Sequence, residues 1–321
     1  MFVTPAVAGG TAYVGSCAGV YYAFDIETGA IRWSHDFKSE VGQATFHGDP
    51  LLTEDLVITG SEALDPVRMW AFERATGRVS WSRQGEWALT RSDVVGADGL
   101  AVGRNDRGDL VALDVTNGEP VWHVAHQGER YRPDVAESPS VLGSHIIFSA
   151  PDGAVYEIDA ESGNVLWRSD IACDASTSVA FDGDDVYVGC RDGRLFHLRA
   201  QDGQLTSTLP LGRELEGRLA LVDGMLIVPG RNWIGAVDRA LDGVIWERAD
   251  LGRVSVVQPL DWRGAVLSGT ADGELVALEL ADGRTRWSTS LDGSIRGLGY
   301  SGDVLLVGTI EGSIYALRVR E

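Results

Sequence analysis

The sequence predicts an all-β fold: an eight-bladed β-propeller of four-stranded antiparallel blades, the last blade supplying only three strands of its own. Three observations predict it. A unit of about 40 residues repeats along the whole chain. Within each unit, turn residues recur about every 8–12 positions. Helical periodicity is nowhere developed.

The repeat is clearest around one turn. YAFDIETGAIRW (22–33) returns as WAFERATGRVSW (70–81), VALDVTNGEPVW (111–122), YEIDAESGNVLW (156–167), FHLRAQDGQLTS (196–207) and VALELADGRTRW (276–287). A shifted copy, AVDRALDGVIW, occupies 236–246, and IYALRVRE at 314–321 opens a further one. The turn glycines are Gly29, Gly77, Gly118, Gly163, Gly203, Gly243 and Gly283, spaced by 48, 41, 45, 40, 40 and 40 residues. Glycine suits a tight turn because it adopts positive φ without a Cβ penalty. Trp follows four residues later at Trp33, Trp81, Trp122, Trp167 and Trp287. In the shifted copy Trp246 keeps its distance from Asp238 while Gly243 slips one place.

Each unit reads as a short lead-in, a β-branched run such as TAYVG or DVYVGC, a glycine turn, an alternating strand, the turn above and a closing strand with the Trp. Four-stranded sheets at this period pack radially as blades and leave only short edges. The blades are expected at 1–38, 39–86, 87–127, 128–171, 172–211, 212–250, 251–291 and 292–321, within one domain.

Composition narrows the function. The chain has 321 residues, 44% of them hydrophobic, and a net charge of −20. That field repels phosphate backbones and anionic lipid, so neither nucleic acid nor membrane is an expected partner. No apolar run approaches the roughly 18–20 residues of a membrane span. The start, MFVTPAVAGGTAYVG, shows no basic segment followed by an apolar one, so a cytoplasmic monomer is expected. Cys17, Cys173 and Cys190 are too few and too scattered for a disulfide framework or a zinc site, and are expected as free thiols.

The pattern A-hydrophobic-D-x-x-T-G-x-x-x-W is similar to the repeat of the PQQ-like β-propellers, over essentially the whole chain. That superfamily includes quinoprotein alcohol dehydrogenases, the outer-membrane assembly lipoprotein BamB, and sensor domains of bacterial Ser/Thr kinases. The resemblance implies that Trp33, Trp81, Trp122, Trp167, Trp246 and Trp287 dock between neighbouring blades. It also implies that the contact after blade five, where Ser207 replaces the Trp, is the weakest. The quinoprotein dehydrogenases carry a vicinal disulfide and a calcium site, and neither is matched here, so no PQQ, metal or other cofactor is expected. BamB is a secreted lipoprotein, and without a leader or lipidated cysteine an identical role is not expected.

Function must therefore come from the loops. Blades one to four look decorated, through 37–50, 60–69 and 123–140, and blades five to eight look plain. The starts of the inner strands place Asp93, Glu137, Arg218 and Arg296 at equivalent positions facing a channel, with Gln43, Ser176 and Gln258 in similar places. Paired arginines there suit a carboxylate or phosphate. Arg91 with Trp87, and Arg231 with Trp233, put a guanidinium beside an aromatic, which serves a protein interface or a small-ligand pocket. Gln43, Arg68, Trp87, Arg91, Glu137, Arg218, Arg231, Trp233 and Arg296 are thus the candidate binding residues. The pair His123 and His126 lacks a third metal ligand.

The expected function is a non-catalytic propeller that binds a partner protein or a small ligand on its decorated face, as a scaffold or sensor. The alternative is a cyclase-, isomerase- or lyase-type enzyme of bacterial secondary metabolism, using His47, Asp93, His126, Tyr131 and Arg132.

Overall fold

Every repeat folds as one antiparallel sheet whose strands follow in chain order. The computed structural model describes residues 4–38, 42, 44–46, 48–61, 67–89, 93–125, 138–173, 176–254 and 257–319. Blade one shows the pattern: Ala6–Ala8, Thr11–Gly15, Val20–Asp25 and Ile31–Asp36, running from the first strand to the fourth. Seven sheets have four strands, and the eighth has three, Ile295–Ser301, Val304–Thr309 and Ile314–Arg318. The fold is the eight-bladed propeller that the repeat predicts.

Burial explains the sequence pattern. Second strands such as Thr11–Gly15 and Leu100–Arg104 are buried at every position, which is why they read as continuous apolar runs rather than alternating ones. Fourth strands such as Ile31–Asp36 and Val165–Asp170 alternate between exposed and half-buried positions.

One irregularity recurs in all seven four-stranded blades: the register between third and fourth strands slips by one residue, first at Ala23/Phe24 and last at Ala277/Leu278. In five blades the bulge sets the repeat Trp opposite an alanine, as Ala23–Trp33, Ala71–Trp81, Ala112–Trp122, Ala236–Trp246 and Ala277–Trp287, whereas Trp167 faces Glu157. A methyl group there leaves room for the indole to lean toward the next blade.

The chain packs as two compact units, Met1–Ala125 with Arg296–Glu321, and His126–Ile295. The core of the first is aromatic: Tyr21, Phe37, Phe46, Trp70 and Phe72 are buried together, with Phe37 and Trp70 centroids 4.5 Å apart. Within 37–50, read from the sequence as a loop elaboration, Phe37, Ala44 and Phe46 are fully buried in this core, while Lys38 and Gly42 are exposed. The first strand of blade two is Leu51–Leu52, well beyond the expected start at Gln43. The core of the second unit is aliphatic, with Val155, Val186, Val188 and Leu198 around Cys173 and Cys190.

Candidate functional site

The repeat tryptophans define how blades join. The indole N–H of Trp33 donates to the Arg74 carbonyl at 2.9 Å, Trp81 to Val115 at 3.0 Å, Trp167 to Ala200 at 2.6 Å and Trp246 to Leu280 at 2.7 Å. In each case the acceptor lies three residues before the turn glycine of the next blade, and the indole lies flat on that glycine. A Cβ added at Gly77, Gly118, Gly203 or Gly283 would meet the ring at 2.4–2.6 Å. These glycines therefore serve twice, by adopting φ near +70° and by leaving the ring its space. Trp122 is buried and Trp287 half-buried.

In the first unit, Asp93 is buried and its Oδ1 accepts the backbone N–H of Asp49 at 2.9 Å, while Asp49 Oδ1 accepts that of Thr4 at 2.6 Å. These carboxylates tie successive blade starts together, so Asp93 holds backbone. Trp87 ends a 3-10 turn (Gly85–Trp87) and meets His123 edge-on at 5.9 Å. His123 Nε2 is 2.9 Å from the buried Asp109 Oδ2, and Asn105 supports the loop by accepting the N–H of Asp109 at 3.0 Å. Arg68 is half-buried at the start of its strand, and Arg296 is half-buried in Ile295–Ser301. Gln43, His47, Arg91, His126, Tyr131, Arg132 and Glu137 lie outside the described residues. Among the described residues no group of three or more His, Cys, Asp or Glu is arranged to hold a metal.

In the second unit the connecting loops of blades five to seven carry an array the sequence did not announce. Glu214 lies between Arg191 (3.9 Å) and Arg231 (3.8 Å), Glu216 meets Arg253 at 3.4 Å, and Arg213 meets Glu247 at 3.3 Å. The Arg213 guanidinium also sits 5.1 Å over the Trp233 ring. Trp233 is only 4% exposed, and its indole N–H donates to the Glu214 carbonyl at 3.3 Å. Trp233 is thus the floor of the array and not a contact residue, and the cation over it comes from Arg213 rather than from its neighbour Arg231. Arg231 itself is 55% exposed. Arg218 is half-buried beside Leu219, whose carbonyl accepts Gln258 Nε2 at 3.0 Å. The signal in the sequence is LGRELEG at 211–217, a lead-in with three charged residues.

Cys173 and Cys190 are joined by a disulfide across a Cα–Cα distance of 5.7 Å. This overturns the expectation of three free thiols. The two are distant in sequence but meet because one precedes the first strand of blade five and the other ends its second strand. Such bonds form in oxidising compartments.

Four-stranded sheets locked to one another by indoles lying on glycine turns define a PQQ-like β-propeller. The profile of the family described as outer membrane protein assembly factor BamB matches residues 3–204 and 230–321, and the chain belongs to that family. Outer membrane protein assembly factor BamB of Yersinia pestis is 24% identical over 336 residues, spanning 97% of this chain and 83% of that protein. The protein of the same name from Xanthomonas campestris pv. campestris is 32% identical over 164 residues, 47% of this chain and 39% of its own length. The crystal structure of BamB from Moraxella catarrhalis shares the fold, with a TM-score of 0.82 at 15% identity over 99% of this chain and 96% of that one. The expected cytoplasmic location is thereby corrected: the relatives are named for outer membrane assembly, and the disulfide agrees with an oxidising compartment.

Proposed function

We propose that the chain is a non-catalytic scaffold that binds a partner protein in outer membrane protein assembly, with the arginine array of blades five to seven as its contact surface. One observation carries the reading: four arginines from four connecting loops, Arg191, Arg213, Arg231 and Arg253, gather around Glu214, Glu216 and the Trp233 floor. Planar guanidiniums pre-ordered by carboxylates present hydrogen-bond donors at low entropic cost, and arginine is enriched at the energetic centres of protein interfaces. The relatives' shared name supplies the process.

The test is made in the host of origin. Deleting the gene should lower the amount of folded outer membrane protein, and the wild-type chain should restore it. The double variant Arg191→Ala, Arg231→Ala, checked by its melting to be folded, should fail to restore it; both arginines stand at least one-third exposed beside Glu214. Unchanged outer membrane protein in the deletion strain refutes the process, and full rescue by the double variant refutes the surface.

A further inference from the structure

Blades four and five, both in the second unit, depart from the repeat at the same two positions. Where five blades face the Trp with an alanine, blade four sets Glu157 opposite Trp167 and blade five sets His197 opposite Ser207. Each of these residues meets the one that opens the second strand of its own blade. Glu157 bonds His145, and His197 bonds Asp185 at 2.6 Å. The two positions thus carry an imidazole and a carboxylate in both blades, in opposite order. In the other blades the opening position holds Thr11, Leu56, Leu100, Met225, Ala265 or Val304, none of which is charged.

Between the two blades lies an open groove of about 830 Å³ whose lining includes the apolar Leu166 and Phe181 and the carboxylates of Glu157, Asp184, Asp185 and Asp202. Leu166 is 53% exposed, and Leu142, 46% exposed, reaches the same place, its Cδ2 lying 3.1 Å from where a Cβ on Gly183 would stand. The carboxylates are unequally matched. Arg239 holds Asp185 at 2.7 Å and Arg199 holds Asp202 at 2.9 Å. Asp184 is exposed, and among the described residues no ion pair or hydrogen bond holds its carboxylate. The Glu157 side chain is only 6% exposed, yet it meets no guanidinium, only the half-exposed imidazole of His145. A carboxylate taken out of water is costly until a cation answers it.

We infer that this groove is a docking site for a partner polypeptide that presents an arginine or lysine beside a bulky apolar residue. The charged head meets Asp184 and Glu157, and the apolar side chain covers Leu166 and Phe181. Charge complementarity names the occupant, because the two carboxylates without a guanidinium stand beside exposed apolar surface. Arginine and lysine suit such a place, since their stems lie along apolar side chains while their heads reach a carboxylate. The charges select the partner and the covered apolar area supplies affinity. The groove is built from the turns that join first to second and third to fourth strands, at the ends of the strands opposite to the arginine array. Neither surface depends on the other, so the two are tested apart.

The probe is an array of peptides GSGXXGSG, carrying every pair of the twenty amino acids at its centre, incubated with the labelled 321-residue chain. Arginine or lysine next to leucine, isoleucine, phenylalanine or tryptophan should bind at least tenfold more strongly than the same peptide with serine in either place. Asp184→Asn and Leu166→Ser alter exposed side chains, and each should weaken those spots at least threefold in a chain whose melting shows it folded. Asp106→Asn removes the same single charge from an exposed turn of blade three and should leave them unchanged. Absence of the paired preference overturns the site, as does wild-type binding by both groove variants. An equal loss in Asp106→Asn also overturns it, because the net charge of −20 would then be what binds. Loss of binding in the double variant Arg191→Ala, Arg231→Ala moves the contact to the array and overturns the groove. Self-association of the chain that the best peptide disperses overturns it as well, since a second copy would then be the occupant.

Discussion

At the scale of single residues, a tryptophan and a glycine 37 positions downstream form one structural device at Trp81 and Gly118. The ring fills the space a Cβ would need, so each residue accounts for the other. Trp81→Ala removes a nearly buried indole and leaves its cavity, at an expected cost of about 3–5 kcal/mol. Gly118→Ala drives a methyl group into the ring at a positive φ, at about 1–3 kcal/mol. The double variant should cost clearly less than their sum, because the cavity made by one accommodates the methyl group of the other. Denaturant unfolding of the four chains measures this, and strict additivity would show the pair to be independent. The tryptophans were legible because a side chain that docks in the same way at several junctions recurs with the period of the repeat. Their acceptors were not, since a backbone carbonyl leaves no mark in the sequence. Asp93 misled for a related reason: a carboxylate that caps a backbone N–H across blades looks, in one dimension, like one that awaits a ligand.

At the scale of the element, blade five shows what the repeat permits when its device is withdrawn. Ser207 stands for the Trp, His197 for the facing alanine and Arg199 for the turn aspartate, and the next blade's turn has Leu241 rather than glycine at φ +60°. All four departures belong to one junction. Ser207 Oγ donates to the Ala240 carbonyl at 3.0 Å, which replaces the indole's hydrogen bond but none of its apolar contact. A polar bridge accompanies it. Arg239 pairs with Asp182 and with Asp185 at 2.7 Å, the Tyr187 hydroxyl donates to the Arg239 carbonyl at 2.9 Å, and His197 stacks on Tyr187 while meeting Asp185 at 2.6 Å. Burial pushes the Asp185 carboxyl up, but His197 and Arg239 hold it below the usual range. Arg239→Ala should therefore cost about 1–2 kcal/mol, the size of a charge-assisted hydrogen bond discounted for solvent. A double-mutant cycle with Asp185→Ala should return a coupling of at least about 0.5 kcal/mol. Zero coupling would mean that Ser207 and the neighbouring strands hold the junction unaided. The sequence showed the missing Trp but not its replacement, because the compensating residues are scattered over 182–239 and obey no period.

At the scale of the whole molecule, the aspartate of the repeat has a common task. Asp25 is held far below the usual carboxylate range by Arg32 and by the Thr28 hydroxyl and N–H. Asp114 is lowered by Thr116, Asp159 by Ser162, Glu73 by Thr76 and Arg78, and Glu279 by Arg286. A depressed carboxyl contributes stability that is complete above its unfolded value and is lost as pH falls toward its folded one. The unfolded values lie near about 4, so stability should stay level from neutral pH to about 5 and fall steeply below it. Repulsion within a chain of net charge −20 acts the other way, since protonation relieves it, and a chain ruled by repulsion would gain stability on mild acidification. Melting temperatures between pH 7.5 and 3 decide between the two. The triple variant Asp25→Ala, Asp114→Ala, Asp159→Ala should melt lower than wild type at pH 7 and show a shallower decline below pH 4, the curves converging in acid. If they run parallel instead, the turn carboxylates do not set the acid limit, and the repeat aspartate is kept for its hydrogen bonds to the turn alone.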